Sequence, residues 1–197
     1  FAHFRGPDLQ NLLVETENFF LEYRDKLNLP SDVTFGIELE SEGILKFITD
    51  KYIKENLKEW NSKKDGSLRT GGEIASPIMT DDLKWWHELK TVCDYLSKRK
   101  ADTLHNAGGH IHIGTCALGE DVEAWKCFLK LYTAYEHVIF RFVYGDKISA
   151  RKKILNYASP IADLIYNEID IISRAKSIFE IFFLLSRISR YSALNFD

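Results

Sequence analysis

The stretch Val33-Thr-Phe-Gly-Ile-Glu-Leu-Glu-Ser-Glu42 decides the fold class. Val33, Phe35, Ile37 and Leu39 fall on one side of an extended chain, and Gly36, Glu38, Glu40 and Glu42 fall on the other. A period of two is that of a β-strand with one face on a core and one face turned away from it. Upstream the period changes. Between Asp8 and Leu27 the apolar positions 9, 12, 13, 19, 20 and 27 have helical spacing, with Pro7 at the start and Pro30 closing the segment. Residues 1–29 are therefore expected to be a helical segment preceding a domain over 30–197.

Downstream, Asp50 to Trp60 reads as a polar amphipathic helix. Lys63-Lys-Asp-Gly-Ser67 reads as a turn in which Asp65-Gly66 is a hairpin signal. Thr70 to Ile78 reads as a second strand. Thr80-Asp-Asp is an N-cap cluster opening a helix that runs to about Lys100. Leu104 to Thr115 is a glycine-rich entry to a third strand, His110-Ile-His-Ile-Gly114. Asp121 to Tyr144 is a long helix, and Pro160 to Tyr191 is expected to be another, the main core helix. The order predicts an α+β fold: a mostly antiparallel sheet with helices packed on one face and charged residues on the other.

Bulk features narrow the function classes. The 197 residues carry 26 basic and 29 acidic side chains, a net charge of −3, which argues against nucleic acid as a partner. The most apolar window, Ile178 to Leu185, contains Glu180 and is far shorter than the roughly twenty residues of a membrane span. Cys93, Cys116 and Cys127 are odd in number and match neither a disulfide framework nor a zinc motif. With no secretory signal at the start, where Glu15 and Glu17 interrupt any apolar core, the expected compartment is cytoplasmic. The helical aromatics, from Trp85 and Trp86 to Tyr135 and Phe142, read as core packing or an interface stripe.

Three patches carry chemistry. Glu38 and Glu40 are i and i+2 on a strand, so their side chains leave one face about 6.5–7 Å apart at the backbone. Like charges so placed repel unless a cation lies between them. Glu73, in Gly71-Gly-Glu-Ile-Ala-Ser-Pro77, sits beside two glycines that let a ligand or another backbone come close. His110 and His112, in Asn106-Ala-Gly-Gly-His-Ile-His-Ile-Gly114, again share a strand face, a common metal arrangement. Each patch alone also fits a solvated strand face. Together they place carboxylates and imidazoles opposite three apolar faces, a donor set that suits Mg²⁺ or Mn²⁺ better than zinc, since no thiolate lies beside them.

The ordered series Phe35-Gly-Ile-Glu-Leu-Glu, Asp65-Gly-Ser-Leu, Gly72-Glu-Ile-Ala-Ser-Pro, Gly109-His-Ile-His and Arg190-Tyr-Ser-Ala-Leu-Asn195 resembles the amidoligase family. That family belongs to the carboxylate–amine ligase superfamily, with glutamine synthetase and γ-glutamylcysteine synthetase as relatives. The resemblance covers roughly Val33 to Phe196. It implies a glutamine-synthetase-like sheet and an ATP-dependent ligase. The enzyme would phosphorylate a small-molecule or peptide carboxylate to an acyl phosphate, and an amine would then displace phosphate. By the same resemblance Glu38, Glu40, Glu73 and His110 are metal ligands, with ATP and Mg²⁺ or Mn²⁺ as cofactors. His112 and Arg190 are the catalytic candidates. Asp65, Ser67, Arg69 and Asn106 are the substrate- and nucleotide-binding candidates. For Arg69 and Arg190 a plain salt bridge is the competing reading. No Gly-x-x-x-x-Gly-Lys-Ser/Thr loop is present, so a P-loop ATPase does not fit.

One departure stands out. The family pattern continues past the Arg-Tyr-Ser-Ala-Leu-Asn segment into a further strand bearing a Glu and an Arg, whereas this sequence stops at Asp197. The expectation is thus a sheet truncated at its C-terminus, and two functional readings stand side by side. One is the ligase; the other is a catalytically incomplete, ligase-like binding or structural module in an oligomer or larger assembly. A third, a metal-dependent hydrolase using His110, His112 and Glu73, lacks an HExxH helix or any other hydrolase signature.

Overall fold

The structure is a computed structural model. It describes residues 27–103, 105–145, 154–189 and 191–196. The expected N-terminal helix, apart from Leu27, and Arg190 lie outside the described residues.

The alternating stretch forms strand β1 (Phe35–Ser41). It is followed by α1 (Lys46–Asn56), β2 (Asn61–Lys63), β3 (Gly72–Ala75), α2 (Leu83–Lys98) and β4 (Gly109–Ile113). A short 3₁₀ turn, Thr115–Ala117, leads into α3 (Val122–Tyr144), and then come α4 (Ile154–Tyr157), α5 (Ala162–Asn167), α6 (Ile169–Arg174) and α7 (Ile178–Leu185). The four strands make one antiparallel sheet in the order β2-β3-β1-β4, and the fold is α+β.

Register explains the layers. Residues directly opposite on neighbouring strands share a face. Leu39 lies opposite Ile74, Ile37 opposite Ile111 and Phe35 opposite Ile113, so one face is apolar throughout. Helices α1 and α2 cover its β1 and β3 part. Ile53, Leu57, Val92, Tyr95 and Leu96 pack with Phe35 and Ile74, and Trp86 stacks on Phe35 at 5.2 Å between ring centroids. Asp82 caps α2, its side chain accepting the Lys84 N–H. On edge strand β4 the same apolar row, Ile111 and Ile113, stays exposed.

The remaining helices have their own core. Trp125 and Leu129 of α3 pack with Ile161, Ile165 of α5, Ile172 of α6 and Ile181, Leu184 and Leu185 of α7. Glu136, buried on α3, accepts the Ile161 and Ala162 N–H groups at 2.8 Å each and so caps the start of α5.

Several expectations need correction. The single helix expected over Pro160 to Tyr191 is three short ones, α5 to α7. The chain breaks at Glu168 and again at Ala175–Ser177, where a Ser177 and Glu180 capping pair restarts it. Glu180 N–H donates to Ser177 Oγ at 3.3 Å and the Glu180 carboxylate accepts the Lys176 N–H at 2.8 Å, two local bonds that compete with helix continuation. These helices, with α3, pack on one another rather than on the sheet. The helix expected over Asp50 to Trp60 starts earlier and ends at Asn56, because Leu57 and Trp60 turn inward to the core. A strand precedes the Asp65-Gly66 turn, and the strand expected over Thr70 to Ile78 is confined to Gly72–Ala75.

Candidate functional site on the polar sheet face

The face opposite α1 and α2 gathers the candidates. Glu38 lies opposite His110, Gly36 opposite His112, Glu40 opposite Glu73 and Glu73 opposite Lys63. Cross-strand neighbours on one face thus run from Lys63 through Glu73, Glu40 and Glu38 to the two imidazoles. Side chains directly opposite sit about 4.5–5.5 Å apart at Cβ, and like charges so placed repel. Glu40 facing Glu73 is such a pair.

Glu38 is the hub. Its Oε2 lies 3.0 Å from His110 Nδ1 and 3.4 Å from His112 Nε2. Its Oε1 lies 3.7 Å from Lys63 Nζ. Burial pushes the Glu38 carboxyl up, but the hydrogen bonds of His110 and His112 and the charges of His112 and Lys63 outweigh it, so Glu38 stays below the ordinary carboxylate value. The contact also fixes both rings, one through Nδ1 and the other through Nε2.

Glu40 ties the face to the glycine-rich loop before β4. Its Oε2 accepts the Gly108 N–H at 2.7 Å, and its own N–H donates to Gly108 O at 2.9 Å. Asn106 lies exposed in that loop. Glu73 is more enclosed than Glu38. Its Oε1 is buried and accepts no hydrogen bond; its near neighbour is Lys63 Nζ at 3.3 Å.

The loop from β2 to β3 comes to the same face. Asp65 Oδ1 accepts the Ser67 N–H at 2.6 Å in an Asx turn. The Ser67 side chain and N–H hold the Asp65 carboxyl below its ordinary value, and the nearby His110 charge adds to this. Arg69 goes elsewhere. Its N–H, with the Thr70 N–H and hydroxyl, donates to Glu42, and its charge acts there. Glu42, expected to continue the acidic row, is instead buried as the anchor of this loop.

The face therefore unites Glu38, Glu40, Glu73, His110 and His112, with Asp65 and Ser67 beside His110. It does not unite Arg69 with them. Sequence reasoning misses one residue of the face, Lys63. Lys63 reads as part of a turn from sequence, although its charge opposite to that of Glu73 across a hairpin signal points to the paired position it takes.

Three carboxylates and an imidazole are donor types that a hard divalent cation takes, and the buried Oε1 of Glu73 meets only the Lys63 ammonium, outside hydrogen-bond geometry. The donors are not drawn together around one point, and among the described residues no group of three or more His, Cys, Asp or Glu side chains is arranged to hold a metal ion. Glu38 Oε2 is shared by the two imidazoles, and Lys63 stands between Glu38 and Glu73. A separate open depression of about 510 Å³ lies between the 3₁₀ turn, α3 and α7, lined by Thr115, Trp125, Ser177 and Phe182 among others; none of the sheet-face carboxylates or imidazoles lines it. Among the described residues no helix is long and apolar enough to cross a membrane. No family model, curated protein or solved structure matches this chain.

Proposed function

We propose that the chain is an ATP- and divalent-cation-dependent carboxylate–amine ligase with a glutamine-synthetase-like sheet. One observation carries the reading. Three segments far apart in sequence put Glu38, Glu40, Glu73, His110 and His112 on one sheet face in register, with Glu40 directly opposite Glu73. Carboxylates on adjacent strands are costly neighbours without a cation. ATP, a carboxylate substrate and an acyl phosphate are all anions, so a ligase of this kind needs positive charge gathered at one place.

In this reading Glu38, Glu40, Glu73 and His110 hold Mg²⁺ or Mn²⁺, which when bound neutralises phosphate charge as phosphoryl transfer proceeds. Glu38 keeps the His110 and His112 rings oriented through the contacts at 3.0 and 3.4 Å. His112 lies one residue pair further along β4 and faces the reacting groups; Arg190 is assigned to the same task by sequence alone. The Asp65–Ser67 turn and the Asn106 loop border the face from two sides and bind substrate. The cytoplasm is the expected compartment. The test is phosphate release from ATP in the presence of an amino-acid mixture, with and without Mg²⁺ or Mn²⁺. Wild type is expected to release phosphate only with cation and amine present. The E38Q/E40Q double variant is expected to fall by on the order of 100-fold or more. Equal, cation-independent release by both proteins overturns the reading.

A second reading, a ligase-like module without turnover that acts in an assembly, is favoured by exposed apolar side chains on the helices. Leu131, Tyr135 and Phe142 of α3 and Phe179 and Phe183 of α7 all face outward. Light scattering after size exclusion separates the two, since a strict monomer that turns over ATP with amine present rules the module out.

A further inference from the structure

Strand β4 leaves one side of its backbone without a partner. The bonds that join its segment to β1 include Gly114 N–H to Thr34 O at 2.8 Å and Glu40 N–H to Gly108 O at 2.9 Å. In an antiparallel ladder alternate residues turn their N–H and C=O groups to the neighbouring strand. Gly108, His110, His112 and Gly114 therefore face β1, and Gly109, Ile111 and Ile113 direct theirs outward, where among the described residues no strand lies. The side chains at this edge are open as well: Ile111 is 72% exposed and Ile113 65%. The two edges of the sheet are unlike. Strand β2 is three residues long and carries Lys63 over the polar face, devices that keep other strands from adding to an edge. Strand β4 has five residues, Gly109-His-Ile-His-Ile113, with no proline and no Asp, Glu, Lys or Arg.

We propose that β4 is a self-association edge, pairing antiparallel with β4 of a second copy of this chain about a two-fold axis at Ile111. The outward groups of Ile111 then bond those of Ile111 of the second copy, and Gly109 and Ile113 bond each other across the axis in both directions. Both faces match. On the apolar face the row from Ile37 through Ile111 continues into Ile111 and Ile37 of the second copy, and each Ile113 lies opposite a glycine. On the polar face His110 comes opposite His112 of the second copy, imidazole against imidazole, and each Glu38 stays with its own pair of rings away from the seam. A foreign strand with carboxylates on that face would be repelled by Glu38, and one with polar residues on the other face would leave Ile111 and Ile113 wet. A second β4 does neither. Five residues make a seam about 17 Å long, small against the roughly 1,200–2,000 Å² of a standard stable interface. Association is therefore micromolar rather than nanomolar and depends on protein concentration.

The experiment follows mass by sedimentation velocity from about 1 to 500 µM, a range that brackets micromolar association. The samples are wild type, I111K, I111E and an equimolar mixture of the two variants. Amide exchange of wild type is read at both ends of the range. Wild type is expected to pass from one chain toward two, and its Ile111 and Ile113 amides to exchange about threefold or more slower at the top of the range. I111K and I111E each place like charges directly opposite across the axis. Each is expected to associate about tenfold or more weakly than wild type, and the mixture to recover to within about threefold of it. Ile111 is largely exposed, so both substitutions leave the packing of the single chain alone. A wild type that stays monomeric throughout overturns the proposal and leaves the edge to a strand of another protein. A dimer that survives in both variants overturns it too, and places the contact elsewhere, as on the outward aromatics of α3 and α7. So does a loss of association that mixing fails to recover, or a dimer whose Ile111 and Ile113 amides exchange as in the monomer.

Discussion

Glu38, Glu40 and Glu42 occupy equivalent positions in one alternating row, yet they end in three different settings. Glu38 meets two imidazoles, Glu40 meets a backbone N–H, and Glu42 accepts the Arg69 N–H at 2.8 Å and the Thr70 N–H and hydroxyl at 3.2 and 3.1 Å. Alternation tells which face a residue leaves but not which partner it meets, so the first two are legible as site residues and the loop-anchoring part of the third is not. Glu42 carries a pH prediction. The Arg69 N–H, aided by Thr70 and the Arg69 charge, outweighs burial and lowers its pKa from the ordinary 4.5. A carboxyl lowered on folding contributes stability that is fully present above its unfolded value and is lost as pH falls through its folded value. Wild type is therefore expected to melt above Glu42→Gln at neutral pH, with the two curves converging as pH drops below 4.5. A gap that stays constant down to acid pH would show that the carboxylate charge is not what holds the loop. Gly71 stands beside it. A Cβ there would lie 1.6 Å from Ser41 O, backbone that has no way to yield, so Gly71→Ala is expected to destabilise the fold by about 3 kcal/mol or more in urea unfolding. The glycine pair is legible as a close approach by a ligand or another backbone; the structure shows backbone, Ser41 O against Gly71 and Lys63 O against Gly72.

Elements were legible where one pattern dominates. The period of two in β1 and the N-cap aspartates of α2 and α3, Asp82 and Asp121, give their elements nearly as built. Strand β2 is too short for a period to emerge; it exists because β3 offers its backbone and Lys63 meets Glu73. The stretch after Pro160 keeps apolar residues recurring through its breaks, so periodicity hides them, and the informative signal is the short Ser177-Ile-Phe-Glu180 pattern. Ser177→Ala is expected to cost about 0.5–2 kcal/mol, the usual range for a lost N-cap. Asp at the same position should restore stability, since it too accepts the Glu180 N–H. Thermal unfolding of both variants checks this. If Ser177→Ala melts with wild type, α7 is held by Ile181, Leu184 and Leu185 alone.

At the scale of the whole molecule the sequence identified an α+β chain but not how the helices group, because a helix pattern reports that an apolar face exists and not which apolar face it meets. Helices α1 and α2 close on the sheet, whereas α3 and α5 to α7 close on one another around Trp125, Leu129 and Ile181. The main element-to-element contacts all fall within one group or the other. Cores that share no buried residue can open separately, because local unfolding follows contiguous packing units. Leu129 is fully buried in the helical core and Ile74 is fully buried under the sheet. Leu129→Ala is expected to destabilise its unit by about 2–5 kcal/mol and to speed amide exchange in α3, α5 and α7 while β1 and β3 exchange as in wild type. Ile74→Ala is expected to do the reverse. Hydrogen exchange read by mass spectrometry on both variants decides between separate units and one cooperative unit, since the latter would speed exchange everywhere for either substitution. The outcome bears on function: with separate units, the polar sheet face stays assembled while the helical unit opens, and the exposed Phe179 and Phe183 can engage a partner without disturbing Glu38, Glu73 and His110.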